Sequence, residues 1–378
     1  MTLIERIKGK RAIWEDKTPC FILDRTIVRD KLKEFRDNFE GEIAYSLKTN
    51  PHPEILRTVN DMGGTFTVCS LEELSWLCNT IGDISRIIYL SPTLDEEELK
   101  NALQFGVRRF SLDSSAQADI VDKYQKRLDE VFVRISTASR IKKEDFPYEK
   151  HSFLGMTLED AVIELERLRA SQLKIGLHNH LSSQNTDIES WRQNLQIIYE
   201  VVKEVKEDNV NLKSLNLGGG FPISYIKTAP SLSDIGQVVN KYQQKMRNLY
   251  TDLEFIFEPG RYLVAESIAL VTRVKQQKRF SDKNILIVDA SIYNSYMDTV
   301  LVGLELPCET IRSEKDDKRD TINYIIRGRS PCSLDILRRD VTLPKMEVGD
   351  YIIFLNAGAY NFSSDFVSLE KPKTIICE

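Results

Sequence analysis

Eight short apolar runs alternate with helix-like segments through the first two-thirds of the sequence. The runs are, in order, 43–48 (IAYSLK), 65–70 (TFTVCS), 86–91 (RIIYLS), 108–113 (RRFSLD), 130–136 (EVFVRIS), 173–179 (LKIGLHN), 212–217 (LKSLNL) and 253–258 (LEFIFE). Between them, DEEELKNALQFG (95–106) opens with acidic residues and closes on a glycine, as helix ends prefer. An open doubly wound sheet would show the same alternation, but a count of eight strands favours closure. The pattern therefore predicts an α/β fold built on a (β/α)8 TIM-type barrel.

The chain changes character after the eighth run. Strand-like segments follow one another with hardly any helix: AESIALVTRVKQQK (265–278), NILIVDAS (284–291), INYIIRG (322–328) and DYIIFLNAG (350–358). The charged stretch EKDDKRD (314–320) is predicted to be a solvated hairpin tip. The early strand PCFILD (19–24) can pair into the same sheet. We predict a barrel over 25–264 and a second, mostly antiparallel β domain, a sandwich or β-barrel, from 1–24 and 265–378.

Composition excludes several classes of protein. The chain has 378 residues, enough for two domains, and a net charge of −5 with a pI near 5.7, which argues against a nucleic-acid footprint. We see neither an apolar run long enough to span a membrane nor the apolar core of a secretory signal, so we expect a cytoplasmic protein. Its six cysteines are scattered without a CxxC pair, which favours reduced thiols and predicts no metal site.

In a barrel of this kind, the residues that follow the strands form the active site. Those positions hold Lys48, the pair His178 and His180, the triplet 218–220 (GGG) and Glu258. Each has an ordinary explanation when taken alone: a surface charge, a structural histidine, a flexible turn and a Pro-Gly turn. Together they bring an amine, an imidazole, a glycine loop and a carboxylate to one face.

That combination suits pyridoxal phosphate (PLP). Its aldehyde requires a lysine amine to form a Schiff base. Its phosphate requires backbone N–H groups that glycines allow to approach closely. Its pyridine nitrogen requires a carboxylate that keeps the nitrogen protonated, so that the ring can accept electrons. An imidazole stacked on the ring would hold it flat.

Five segments in this order resemble the signatures of a known family. They are YSLKTN, GLHNHLSSQ, LNLGGGFP, FEPGRYLVA and AGAY. The chain is similar to the fold-type III PLP-dependent decarboxylases, a group that includes ornithine and diaminopimelate decarboxylases and is related to alanine racemase. The likeness runs over nearly the whole chain, from TPCFILD near the start to the segment after AGAY.

The resemblance implies roles for individual residues. Lys48 matches the Schiff-base lysine, His180 the histidine stacked on the cofactor, and Glu258 the partner of the pyridine nitrogen; His178 is the weaker candidate for the stacked histidine. The residues matched to the phosphate are Ser183, Gly218, Gly219, Gly220, Arg261 and Tyr360.

The resemblance also implies a head-to-tail homodimer with shared active sites. Each copy would lend the other a cysteine that returns a proton to the substrate, and Cys332 in RGRSPCSLD (327–335) is the candidate. An ungapped match of the family pattern GPxCxxxD, however, puts its cysteine at Pro331. Cys332 therefore lies one residue late. The alternative reading of Cys332 is a small buried apolar residue.

Departures from the family bear on the substrate. The stretch VDASIYNSYMDTVL lacks the arginine with which diaminopimelate decarboxylases hold their substrate, so we do not expect meso-diaminopimelate. Asp298 and Asp335 are candidates to receive the terminal ammonium of ornithine or lysine. Arg327 and Arg329 are candidates to bind a second carboxylate on a larger amino-acid conjugate, and exposed hairpin charges are the alternative reading.

We therefore predict PLP-dependent α-decarboxylation of an amino acid, catalysed through Lys48 and Cys332. An amino-acid racemase on the same scaffold is one alternative. A partner-binding homologue that has lost the cofactor is the other. The intact lysine, glycine loop and glutamate argue against the second alternative.

Overall fold

The structure is a computed structural model that describes residues 1–82, 84–137, 140–141, 152–312 and 320–378. These residues form two compact units. The barrel unit comprises Lys31–Pro222 and Ala229–Gly260, and the sheet unit comprises Met1–Asp30, Ile223–Thr228 and Arg261–Glu378. Apart from its last residue, the predicted hairpin tip lies outside the described residues. The domain boundaries drawn from the sequence at 24/25 and 264/265 stay a prediction.

The regular elements are as follows, in chain order. The helices are α1 Leu3–Gly9, α2 Arg25–Asn38, α3 Pro53–Asp61, α4 Leu71–Ile81, α5 Glu96–Phe105, α6 Ser115–Asp122, α7 Leu158–Leu168, α8 Ile188–Glu207, α9 Leu232–Arg247, α10 Arg261–Val264, α11 Ile292–Ser295 and α12 Asp298–Leu301. The strands are β1 Cys20–Leu23, β2 Glu42–Ser46, β3 Thr65–Val68, β4 Ile87–Leu90, β5 Arg109–Leu112, β6 Glu130–Ile135, β7 Lys174–Asn179, β8 Leu212–Asn216, β9 Glu254–Phe257, β10 Ile268–Phe280, β11 Lys283–Val288, β12 Cys308–Ile311, β13 Thr321–Arg327, β14 Ile336–Pro344, β15 Tyr351–Phe354 and β16 Lys373–Ile376.

The barrel unit contains a closed ring of eight parallel strands, β2 to β9, in sequence order. The ring closes between β2 and β9, where Glu42 pairs with Ile256 and Ile43 with Phe257. Every strand matches its predicted run to within two residues at each end. The predicted (β/α)8 barrel is therefore confirmed.

Local sequence signals explain where the barrel helices begin and end. In α5, Asp95 accepts a hydrogen bond from the amide of Glu98 at 2.8 Å, and Gly106 ends the helix in the left-handed region. In α4, the hydroxyl of Ser70 caps the first turn in the same way. Among the described residues, no helix is long and apolar enough to cross a membrane.

Polar pairs hold the N-terminal ends of the barrel strands, and apolar side chains fill the middle. Arg109 donates to Glu42 and to Glu130, each at 2.7 Å. Glu130 also accepts from the hydroxyl of Ser214 at 2.6 Å. The buried cluster in the middle consists of Ala44, Ile88, Phe132 and Ile256. The barrel is thus a packed core, and its C-terminal rim remains for chemistry.

The sheet unit contains an eight-stranded, mostly antiparallel sheet in the order β12-β15-β10-β11-β13-β14, with β1 paired to β10 and β16 paired to β1. The early strand β1 pairs antiparallel with β10 and parallel with β16. This confirms the prediction that the N-terminal strand joins the C-terminal third of the chain. Trp14 anchors the core of the unit and makes an edge-to-face contact with Tyr351 at 5.1 Å between ring centroids.

Truncating the buried ring of Phe132 to alanine should destabilise the barrel. The side chain is fully buried, so the loss combines apolar transfer with a cavity and should lower the free energy of unfolding by about 3–5 kcal/mol. Phe153→Ala is the matched control, because that ring is 88% exposed, and it should change stability by less than about 0.5 kcal/mol. Denaturant unfolding measures both changes. Equal effects of the two substitutions would contradict this picture of the core.

Candidate active site

Four neighbouring strands of the ring carry polar groups directly after their C-terminal ends. Lys48 follows β2, His180 follows β7, Gly218–Gly220 follow β8 and Glu258 follows β9. These strands are consecutive in the closed ring, in the order β7, β8, β9, β2. The C-terminal ends of parallel strands lie at one end of a barrel, so the four predicted positions share one sector of the rim.

Lys48 lies in a tight turn and not in the strand itself. Residues Leu47–Thr49 form a single turn of 3-10 helix after β2, and the side chain of Lys48 is exposed. The phenol of Tyr45 donates to the carbonyl of Asn50 at 3.0 Å, which ties the far end of the turn back to the strand. The backbone of the turn is therefore held, while the amine remains accessible.

Glu258 is a buried carboxylate whose nearest polar neighbours are an amide and a neutral imidazole. It accepts a hydrogen bond from the amide of Asn216 at 2.7 Å, and Nε2 of His178 lies 3.7 Å away. Burial raises the pKa of Glu258, although the Asn216 hydrogen bond and the positive charges of Lys48 and Arg134 oppose the shift. A cationic hydrogen-bond donor beside such a group would stabilise its ionised form.

The two histidines at the C-terminal end of β7 differ in environment. His178 is fully buried, and its Nδ1 lies 2.7 Å from the hydroxyl of Ser111. Burial lowers the pKa of His178 well below its usual value, and the charge of Arg134 adds to the shift, so the imidazole is neutral. His180 is half-buried at the rim and accepts from the amide of Gly219 at 3.0 Å through Nδ1. Of the two, His180 is the ring presented at the strand ends.

Two of the three backbone amides in the glycine loop donate hydrogen bonds within the protein. The amide of Gly218 donates to Asn216 at 2.9 Å, and the amide of Gly219 is taken by the histidine just described. Within the described chain, the amide of Gly220 has no hydrogen-bond partner. Ser183 lies half-buried in the loop after β7. The phosphate role of all four residues stays a prediction, and Gly220 is the loop amide that best supports it.

Arg261 and Asp298 form a buried ion pair within the sheet unit. The guanidinium donates to Asp298 at 2.7 Å and to the phenol of Tyr225 at 2.9 Å, and it lies 4.8 Å from the ring centroid of Tyr360. Burial raises the pKa of Asp298, and the Arg261 charge opposes that shift. The carboxylate predicted to receive a substrate ammonium thus already has a cation beside it.

Asp335 organises the loop that contains Cys332. It is fully buried, and it accepts hydrogen bonds from the hydroxyl of Ser291 and the amides of Ile292 and Ser330, at 2.9–3.0 Å. Its predicted contact with a substrate ammonium stays a prediction, but three donors already occupy its oxygens. The carboxylate stabilises the loop in any case.

Cys332 is half-buried in that loop, at a distance of 3.1 Å from the phenol of Tyr293. Its carbonyl accepts from the guanidinium of Arg327 at 2.6 Å and from the amide of Asp335 at 3.1 Å. The second arginine of the pair, Arg329, has a different setting, because its exposed side chain lines a groove.

That groove in the sheet unit has a volume of about 850 Å³. Four cationic residues and one carboxylate line it, namely Lys17, Arg329, Lys371, Lys373 and Glu370. Among the described residues, none of the four cations is within salt-bridge distance of a carboxylate. The amide of Asn294 also borders the groove, and its chain neighbour Tyr293 contacts the thiol. The groove thus begins beside the Cys332 loop and is positively charged.

Several of these groups were missed from the sequence alone. Asn216 offered a signal, because it is a polar residue at the end of a strand directly before the glycine loop. Tyr225 and Tyr293 offered none, since nothing in their local patterns distinguishes them from the other tyrosines. Their importance arises from contacts between segments that are far apart in the sequence.

The barrel residues fit pyridoxal phosphate on chemical grounds. An accessible amine, a buried carboxylate and a rim imidazole are the groups that its aldehyde, ring nitrogen and ring face require. At Gly218 (φ +65°), a Cβ would lie 2.5 Å from the carbonyl oxygen of Asn179. The loop is therefore restricted to glycine at this point, which suits backbone that approaches a ligand closely.

Comparisons with known proteins agree with this fit. Residues 25–265 match the family described as pyridoxal-dependent decarboxylase, pyridoxal binding domain. The lysine/ornithine decarboxylase of Selenomonas ruminantium is 28% identical over 91% of this chain and 85% of its own length. The diaminopimelate decarboxylase of Archaeoglobus fulgidus is 26% identical over 95% of this chain and 87% of its own.

The fold has a close counterpart among solved structures. A lysine/ornithine decarboxylase from Vibrio vulnificus, complexed with cadaverine, superposes with a TM-score of 0.88 over 100% of this chain and 99% of its own, at 22% identity. That likeness concerns the fold, whereas the family match covers more than half of the sequence. This chain therefore belongs to the pyridoxal-dependent decarboxylases, and it is an amino-acid decarboxylase whose cofactor is pyridoxal phosphate.

Proposed function

We propose that the chain removes the α-carboxylate of an amino acid with Lys48 as the covalent anchor of the cofactor. The observation that carries the proposal is the position of Lys48 and Glu258 at the ends of β2 and β9, the strands that close the ring. When bound, pyridoxal phosphate supplies an aldehyde for the amine and a ring that withdraws electrons from the α carbon. The chain's own residues must then hold and orient that ring.

We propose that Glu258 keeps the ring nitrogen of the cofactor protonated. Its carboxylate is buried beside neutral groups, so a cationic N–H would be its most favourable partner. His180 is oriented by the Gly219 amide, which leaves the face of its ring to pack on the cofactor. Gly220 and Ser183 are the proposed phosphate contacts of the barrel unit.

We assign the return of a proton to the α carbon to Cys332, with Lys48 as the alternative donor. We also propose that the enzyme is a homodimer in which the sheet unit of one copy completes the barrel of the other. Arg261 and Tyr360 are the proposed contacts of the sheet unit with the phosphate. Support for this arrangement comes from the family resemblance.

For the substrate, we favour an amino acid that carries an additional anionic group. Ornithine and lysine, the amino acids in the name of one relative, each end in an ammonium group. That ammonium would have to compete with Arg261 for Asp298, and with three hydrogen-bond donors for Asp335. By contrast, the four cations of the groove have no carboxylate within salt-bridge distance in the part of the chain that the structure describes, and the groove has the volume of a small-molecule site. The absence of an arginine from VDASIYNSYMDTVL still argues against meso-diaminopimelate.

Covalent attachment at Lys48 can be tested directly. Lys48→Ala and Lys48→Arg should both lose the visible absorbance of the bound cofactor and should lose turnover by several orders of magnitude, because neither side chain can form the link. Borohydride reduction of the wild-type holoenzyme should trap the cofactor on the peptide that contains Lys48.

Lys100→Ala is the matched control, because it removes a lysine that pairs with Glu96 on the outside of α5. It should keep both the absorbance and the label. Normal turnover in the Lys48 variants, or a label on another lysine, would rule out the assignment.

Substrate class can be tested with Arg329→Gln. Carbon dioxide release should be compared for ornithine, lysine and amino-acid conjugates that carry a second carboxylate. If the groove binds that carboxylate, the KM of the acidic substrates should rise about tenfold, because one charged hydrogen bond is lost. The KM of the diamines should not change.

Arg339→Gln is the control, since Arg339 is an exposed arginine of β14 that does not line the groove. It should leave both substrate groups unaffected. If Arg329→Gln impairs both groups equally, or neither, the groove is not the substrate's anion site.

A further inference from the structure

Tyr293 and Cys332 form a contact that the sequence did not predict. The phenol oxygen lies 3.1 Å from the thiol sulfur, within hydrogen-bond distance for a sulfur atom. The two residues come from different segments, the start of α11 and the loop between β13 and β14. Their pairing is thus a product of the fold of the sheet unit.

Both partners are held from several sides. The amide of Tyr293 donates to the hydroxyl of Ser291 at 3.2 Å, its carbonyl accepts from the amide of Ser364 at 2.8 Å, and its ring lies 4.3 Å from that of Phe366. The carbonyl of Cys332 is held by Arg327 and by a loop amide. The backbone of both residues is therefore held, and the ring of Tyr293 is packed on Phe366.

The contact also changes the acidity of the thiol. The hydrogen bond from Tyr293 lowers the pKa of Cys332 and correspondingly raises the pKa of Tyr293 to about 12. Burial raises the pKa of the other five cysteines, Cys20, Cys69, Cys78, Cys308 and Cys377. Cys332 is therefore the one cysteine whose surroundings favour the thiolate.

We propose that Tyr293 is the positioning residue of the proton donor. It holds the Cys332 thiol in place, and its phenol donates a hydrogen bond to the sulfur after the thiol has given up its own proton. This inference rests on the proposed role of Cys332. As the S–H bond breaks, a C–H bond forms at the α carbon from which carbon dioxide has departed. The thiolate left behind keeps the electron pair, accepts the phenol's hydrogen bond, and regains a proton from water.

The inference also accounts for the position of the cysteine. In the family pattern the thiol would fall at Pro331, one residue earlier. A displaced donor requires another group to fix its direction and to stabilise its conjugate base. Tyr293 meets both requirements in this chain, because it contacts the sulfur directly and is itself held against Phe366.

Tyr293→Phe tests the proposal in the holoenzyme, because it removes the phenol oxygen and keeps the ring that packs on Phe366. The thiolate absorbance of Cys332, taken as the difference from a Cys332→Ser variant, should titrate about one to two pH units higher without the phenol. The pKa of the thiol should rise because the lost hydrogen bond stabilised the thiolate. The high-pH limb of decarboxylation, where the donor loses its proton, should move up with it.

Tyr351→Phe is the matched control, because its phenol donates to the carbonyl of Glu15 in the same unit and does not touch the thiol. It should leave both titrations unchanged. An unshifted thiol titration in Tyr293→Phe would overturn the proposal. If the titration shifts but Cys332→Ser decarboxylates at the wild-type rate, the pair exists but the proton donor is another group, so the two failures are distinguishable.

Discussion

Closure of the barrel between β2 and β9 is the constraint on which the site depends. Two residue pairs, Glu42 with Ile256 and Ile43 with Phe257, join the first and last strands of the ring. The Arg109–Glu42 ion pair strengthens the same end of the barrel. Closure brings the strand that precedes Lys48 next to the strand that precedes Glu258. In an open sheet these two strands would lie at opposite edges, and no single cofactor could reach both side chains.

The electrostatics of the barrel rim follow from which groups are buried. His178 is buried and neutral, so it adds no positive charge beside Glu258. Glu258 is buried, and its hydrogen bond comes from the uncharged amide of Asn216, so a cationic donor beside it would stabilise the ionised carboxylate. Lys48 is exposed and therefore available to react. A cofactor that brings a protonated ring nitrogen and an aldehyde answers both of these properties at once.

The sheet unit uses its carboxylates differently. Asp298 is engaged by Arg261, and Asp335 holds together the loop of Cys332. Using such a buried carboxylate to bind a substrate would be costly, because its present partner would be left buried without a hydrogen bond. The cations of the groove around Arg329 have no comparable partners among the described residues. This difference is the physical basis of our proposal that the substrate carries an additional anionic group.

The sequence by itself determined the architecture and the chemical class. Strand and helix periods are local, so the eight runs, the capped α5 and the early strand β1 could be read from the chain, and five ordered motifs pointed to the cofactor. Only the tertiary structure decided which polar groups are already paired: the amides of Gly218 and Gly219, the carboxylate of Asp335, and the Tyr293–Cys332 contact. Hydrogen-bond partners from distant segments meet only after packing, and burial then sets the cost of each ionised group. Local patterns do not encode either quantity.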